Sequence, residues 1–184
     1  MGTYINYIIY TALMCYMAYW VVSVAKKRIT YEIYEVCGLA CFFSILFLSG
    51  WQPGPGILPL RVVGLILYIP AIFFVVSAFI TLGRKGKPKD AWEQTTIVID
   101  SWVFRIVRHP LYLGTTIWAV GVMLVFQSIL SIVLGIATIF CCWMASKKEE
   151  QHNLHKFGEE YKKYLEKVPM WNSIKGVWNL RKGE

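Results

Sequence analysis

Hydrophobic positions in this chain gather into long stretches separated by short charged ones. The longest, residues 111–146, runs for 36 residues without a formal charge. About 20 apolar residues suffice for one bilayer crossing. This run therefore predicts a membrane hairpin whose two ends return to the same side. Its most polar interior point is Gln127-Ser128, which places the turn there, with arms at about 111–126 and 128–144. Arms of this length lie near the short end of the spanning range. Three earlier apolar stretches, at about 4–24, 34–51 and 60–82, predict three further spans. Pro53-Gly54-Pro55-Gly56 is a strong turn signal closing the second. Pro70 predicts a kink in the third.

The expected fold is thus all-α: a polytopic membrane protein of five transmembrane helices in one domain. Residues 1–82 hold three spans, 83–110 a cytosolic loop, 111–146 the hairpin and 147–184 a helical tail. In that tail Leu154, Phe157, Tyr161, Tyr164, Leu165 and Val168 fall on one helical stripe. Glu150 projects onto the centre of the stripe and Glu149 onto its edge. Trp171, Ile174 and Trp178 then repeat at three and four residues with lysines between, the pattern of a segment lying on a membrane surface.

Composition supports a membrane protein. The chain has 184 residues, 57% of them hydrophobic, with mean hydropathy +0.49. The net charge of +8 is explained by its distribution rather than by nucleic acid, for which no motif is present. With five spans, 18 of the 19 Lys and Arg residues fall on one side, and only Arg61 falls on the other. The positive-inside rule then puts the N-terminus outside and the C-terminus in the cytoplasm. Residues 1–25 carry no side-chain charge, and Lys26-Lys27-Arg28 follows them, so the first span reads as uncleaved. The cysteines Cys15, Cys37, Cys41, Cys141 and Cys142 sit in apolar segments without a C-x-x-C pair. They read as small hydrophobes rather than disulfides or metal ligands, and no metal is expected.

The hairpin brings its two flanks together: Arg108-His109-Pro110-Leu111-Tyr112 at one end and Lys147-Lys148-Glu149-Glu150 at the other. A solvated helix start accounts for most Glu pairs. Here Glu150 lies on an apolar stripe, where an unpaired carboxylate is costly. Arg108 is a candidate partner, and a ligand ammonium or ribose hydroxyls would serve equally. Arg108 to Tyr112 also suits a juxtamembrane anchor, with Pro110 at the first helical position and Tyr112 in the aromatic belt. Arg108 and His109 would then precede a helix N-terminus, whose free N–H groups favour an anion. The β-branched run Thr96-Ile97-Val98-Ile99 suits an extended loop segment.

Phe104-Arg105-Ile106-Val107-Arg108-His109-Pro110-Leu111-Tyr112-Leu113-Gly114 resembles the signature of the isoprenylcysteine carboxyl methyltransferases and the broader membrane phospholipid methyltransferases. Glu149-Glu150, Phe157-Gly158-Glu159-Glu160-Tyr161, Tyr164 and Val168-Pro169 extend the resemblance over about residues 80–170. It implies a membrane enzyme using S-adenosylmethionine under the cytosolic loop and tail, with a lipophilic, lipid or prenylated acceptor entering from the bilayer. By this resemblance Thr96, Ile97, Val98 and Ile99 form the adenosine loop. Phe104, Arg108, His109, Pro110, Leu111, Tyr112, Glu149 and Glu150 contact the cofactor, and His109 or Glu150 would take the proton from an amine acceptor. Trp102-Val103 replaces a turn that usually contains Gly, and Thr96 replaces a common histidine. Ala145 stands where the prenylcysteine enzymes carry an arginine for the acceptor carboxylate. A nicotinamide-dependent membrane reductase of related fold and a non-catalytic membrane binding protein are the alternatives.

Overall fold

A computed structural model describes residues 30–49, 56–86 and 95–182, with the isolated positions 11, 15, 18 and 22. The predicted first span apart from those isolated positions, the basic cluster at 26–28, the turn residues 53–55, and Lys87 and Lys89 lie outside the described residues. The described residues form six α-helices and one 3-10 turn, with no strand among them. They are α1 (Thr30–Ser49), α2 (Leu58–Lys85), the turn Trp102–Arg105, α3 (Pro110–Phe126), α4 (Ile129–Phe157), α5 (Glu159–Lys167) and α6 (Ser173–Lys182).

Helices α2 and α4 are long and apolar enough to cross a membrane, and α3 is a shorter apolar helix. Only 22% and 33% of the most apolar windows of α2 and α4 are buried, which is too little for core helices of a soluble protein. Along α4 the exposed residues Ile129, Val133, Ile136, Phe140 and Trp143 recur at three and four residues, forming a stripe suited to lipid.

The expected arms match α3 and the start of α4, but α4 does not end with the apolar run. It continues through the charged Lys147–Glu150 to Phe157, because Lys, Glu and Gln are good helix formers. Likewise α2 runs through Pro70 and past residue 82 to include Arg84 and Lys85. The tail is not one continuous stripe. Gly158, with φ +59° and ψ −130°, breaks it between α4 and α5, and Leu154 is exposed. A side chain rarely adopts that backbone conformation. Gly158→Ala is therefore expected to cost about 1–3 kcal/mol in denaturant unfolding of detergent-purified protein.

The chain divides into two compact units, residues 1–65 with 119–145 and residues 66–118 with 146–184. In the first, Val36, Phe42 and Ile45 are buried on α1, and Thr138 Oγ1 lies 3.5 Å from the Gly38 carbonyl it donates to. The hairpin turn also belongs to this unit. Ser128 and Ser131 cap α4 reciprocally: each hydroxyl accepts from the other's backbone N–H at 3.1 Å. Gln127, with φ +51°, clamps Ile57, accepting from its N–H at 2.8 Å and donating to its carbonyl at 3.0 Å. The polar dipeptide that marked the turn is thus what fastens it.

In the second unit, Phe74, Val103, Val107 and Leu113 form a core joined by Phe104, Ile106, Ile117 and Trp171. A second cluster, Tyr161, Tyr164 and Val168, is joined by Val98, Phe157 and Leu165. Helix α6 meets the backbone of Ile106 at Gly176, where any Cβ would collide with the carbonyl. Ile174 and Trp178 are exposed, as a surface-lying segment requires, but Trp171 is not. It packs into the core and donates its indole N–H to Ser146 Oγ at 3.1 Å.

Candidate functional site

The two flanks of the hairpin meet within the second unit. Pro110 is fully buried and starts α3, so Arg108 and His109 stand just before a helix N-terminus. Their backbone is fixed by the tail: Arg108 N–H donates to the Pro169 carbonyl at 3.0 Å and His109 N–H to that of Met170 at 3.4 Å. The arrival of the tail beside this segment is secured by Tyr164, whose hydroxyl donates to the Phe104 carbonyl at 2.7 Å.

Four titratable side chains converge there. Arg108 Nη2 and Nε reach Glu150 Oε1 at 2.7 and 2.8 Å, with both side chains almost enclosed. Arg108 Nη1 also donates to the carbonyls of Leu165 and Val168 at the end of α5. Glu150 therefore has the internal partner that its place on an apolar stripe demanded. His109, 4% exposed, lies between the two carboxylates, with Nδ1 3.5 Å from Glu149 Oε2 and Nε2 3.4 Å from Glu150 Oε1. The second contact lacks hydrogen-bond alignment, so buried Nε2 has no hydrogen-bond partner among the described residues. Glu149 stays 30% exposed; burial raises its pKa, but His109, with smaller contributions from Tyr112 and Asn153, lowers it below the ordinary value. The Tyr112 ring sits 5.7 Å from the imidazole, centre to centre.

Burial alone would favour neutral His109, but contacts with Glu149 and Glu150 and their charge outweigh it and raise its pKa above the ordinary value. The phenols of Tyr161 and Tyr164 are pushed up mainly by burial and stay protonated. A raised histidine pKa stabilises the fold fully below the unfolded value of about 6.5, and that stability is lost as pH rises through the folded value. The stability gap between the native protein and a His109→Asn variant should shrink as pH is raised upward from about 6.5. Melting curves across pH check this; a gap that widens would contradict the assignment.

The other predicted positions are placed as follows. Val98 packs on the Tyr161–Tyr164 cluster, Ile99 is buried, Thr96 and Ile97 are exposed, and Thr96 N–H donates to the Gly86 carbonyl at 3.1 Å. These residues are irregular rather than helical. Phe104 packs into the core, so its backbone carbonyl is the part that ties the tail. Leu111 is half-buried in the first turn of α3. Sequence reasoning missed Asn153 and the Leu165 and Val168 carbonyls. Asn153 could have been found, since it lies four residues after Glu149 on the same helix face.

Described residues that are helical without a strand, membrane-length apolar helices and a buried Arg-His cluster against a carboxylate pair define a class: helical membrane-type proteins with a charged site at a hairpin mouth. A model of the phospholipid methyltransferase family matches residues 60–160, which contain both flanks of that site. The chain belongs to this family. It is similar to protein-S-isoprenylcysteine O-methyltransferase B of Arabidopsis thaliana, 28% identical over 109 residues, covering 58% of this chain and 55% of the relative. It is also similar to protein-S-isoprenylcysteine O-methyltransferases of Mus musculus (30% over 129 residues, 69% and 44% covered) and Homo sapiens (27% over 125 residues, 64% and 43% covered). The chain spans about half the length of the curated relatives it matches. No solved structure matches it significantly.

Proposed function

We propose that this chain is an integral membrane methyltransferase that moves a methyl group from S-adenosylmethionine to a lipidic acceptor. The observation that carries the reading is the joining of His109 and Tyr112 to Glu149 and Glu150 across the hairpin, within the family match. In this reading the chain crosses the membrane five times, with the N-terminus outside and the loop and tail in the cytoplasm. The uneven distribution of Lys and Arg supports that orientation.

The residues fit a bound S-adenosylmethionine. A partly exposed carboxylate on Glu149 suits the ammonium or ribose hydroxyls of the ligand, and the buried His109 Nε2 lacks an aligned partner. Arg108 and Glu150 satisfy each other and act as the frame, while Glu149, Tyr112 and His109 face the ligand. Thr96, Ile97, Val98 and Ile99 would hold the adenosine, with Pro110 and Leu111 beside it. When bound, this group would supply an electrophilic methyl on a sulfonium for the acceptor nucleophile, with the neutral thioether as the leaving group. The protein contributes position and exclusion of water. If the acceptor is an amine, His109 can take its proton only in the neutral form it adopts above its raised pKa, and Glu150 only by loosening its pairing with Arg108; a carboxylate or thiolate needs no base.

Ala145 favours a lipid or small lipophilic acceptor, because it is fully buried and lacks the cation the resemblance associates with a prenylcysteine carboxylate. The names of the curated relatives favour the carboxylate. Calorimetry on detergent-purified protein should show binding of S-adenosylmethionine and its demethylated product and none of NADPH. Binding of NADPH alone would replace this reading with the reductase one.

A further inference from the structure

A cavity of about 260 Å³ lies outside the charged cluster, between the last turns of α2 and the 3-10 turn. Ser77, Ile80, Thr81, Arg84, Lys85 and Trp102 line it. The five α2 residues recur at three and four positions and so occupy one helix face. Thr81 turns its hydroxyl hydrogen inward to the Ser77 carbonyl at 2.7 Å, leaving its oxygen lone pairs as the polar wall. Arg84 and Lys85 are exposed, and neither pairs with an acid among the described residues.

Trp102 is the unusual member. It takes φ +53°, a conformation uncommon outside glycine and strained for a bulky residue. Yet its side chain is 67% exposed, so no core packing repays the strain. An exposed strained residue at a cavity mouth is the kind of outlier from which function is inferred. An aromatic-belt anchor does not account for it, since anchoring requires no left-handed backbone.

We propose that this cavity binds the phosphate-bearing headgroup of an anionic membrane lipid, with Arg84 and Lys85 meeting the phosphate and Trp102 covering the glycerol. The volume is below the roughly 300–1,000 Å³ of pockets that enclose whole drug-sized ligands, so it takes a headgroup and not the chains. Val76, Phe79 and Ile80, exposed on α2, offer the acyl chains an apolar track beside it. The two cations give charge-assisted contacts to phosphate oxygens, and the Trp ring gives apolar cover in an interfacial setting.

The test titrates dioctanoyl phosphatidylglycerol into the full chain in a neutral detergent, without S-adenosylmethionine. Arg84→Gln combined with Lys85→Gln should weaken binding about tenfold or more. Trp102→Gly, which suits the backbone it replaces, should weaken binding about tenfold while leaving the melting temperature equal or higher. Dioctanoylglycerol and inorganic phosphate should each bind at least about tenfold more weakly than the phospholipid. Unchanged affinity in both variants would overturn the proposal. Equal binding of phosphate would make it a soluble-anion site, and equal binding of the neutral diglyceride an apolar groove; either result also overturns it. Because no methyl donor is present, lipid binding without S-adenosylmethionine binding would sink the methyltransferase reading and leave this one standing.

Discussion

Arg108→Met is expected to destabilise the protein by about 3–5 kcal/mol, the range for removing one partner of a buried ion pair. The loss has two sources. Glu150 would be left as an enclosed carboxylate with only His109 for compensation. The Leu165 and Val168 carbonyls would lose their donor, at about 1–3 kcal/mol for each buried group left unsatisfied. Arg108→Met combined with Glu150→Leu separates the two. It removes the orphaned charge and should recover part of the loss, while the carbonyl term remains. Denaturant unfolding of the single and double variants measures both. If the single variant were as stable as the native protein, Arg108 would not be the bolt that holds the tail to the hairpin.

Glu149→Gln should weaken S-adenosylmethionine binding roughly 10–100-fold, with the fold retained. A hydrogen bond to a charged group contributes about 1.5–3 kcal/mol, which corresponds to that range. The fold survives because Glu149 is partly exposed and Gln keeps its size and a carbonyl oxygen. The change also removes one of the two charges that raise the His109 pKa, so the pH dependence of stability should weaken in the same variant. Calorimetry reads the first effect and melting curves across pH the second. Unaltered affinity would mean that Glu149 does not touch the ligand.

Much of this arrangement was legible in the residues. The turn at Gln127-Ser128 was, because a single polar dipeptide interrupts an uncharged run too long for one span. That Glu150 needs a partner was, because a carboxylate on an apolar stripe demands one; whether Arg108 or a ligand supplied it was left open until the structure placed the guanidinium 2.7 Å away. The continuation of α4 to Phe157 was not. The uncharged run stops at Ser146 and the stripe of the tail resumes at Leu154, so hairpin and tail read as separate helices, while Lys, Glu and Gln carry one helix across the gap. The division of the tail stripe depends on the backbone angles of Gly158, and glycine identity alone does not announce them. Trp171 misled for a different reason. An aromatic among lysines reads as interfacial, whereas its ring fills a core and its N–H meets Ser146. The strain at Trp102 is also invisible in sequence, being a property of the turn that carries it.

The proposed activity is tested most directly by supplying methyl-labelled S-adenosylmethionine to the native protein in lipid membranes and counting label in the organic extract. The account predicts label in the lipid phase with native protein and strongly reduced label with Glu149→Gln, the base stability of the product separating an ester from an N-methyl group. Label no greater with native protein than with protein-free membranes, for lipid and prenylcysteine acceptors alike, would contradict it.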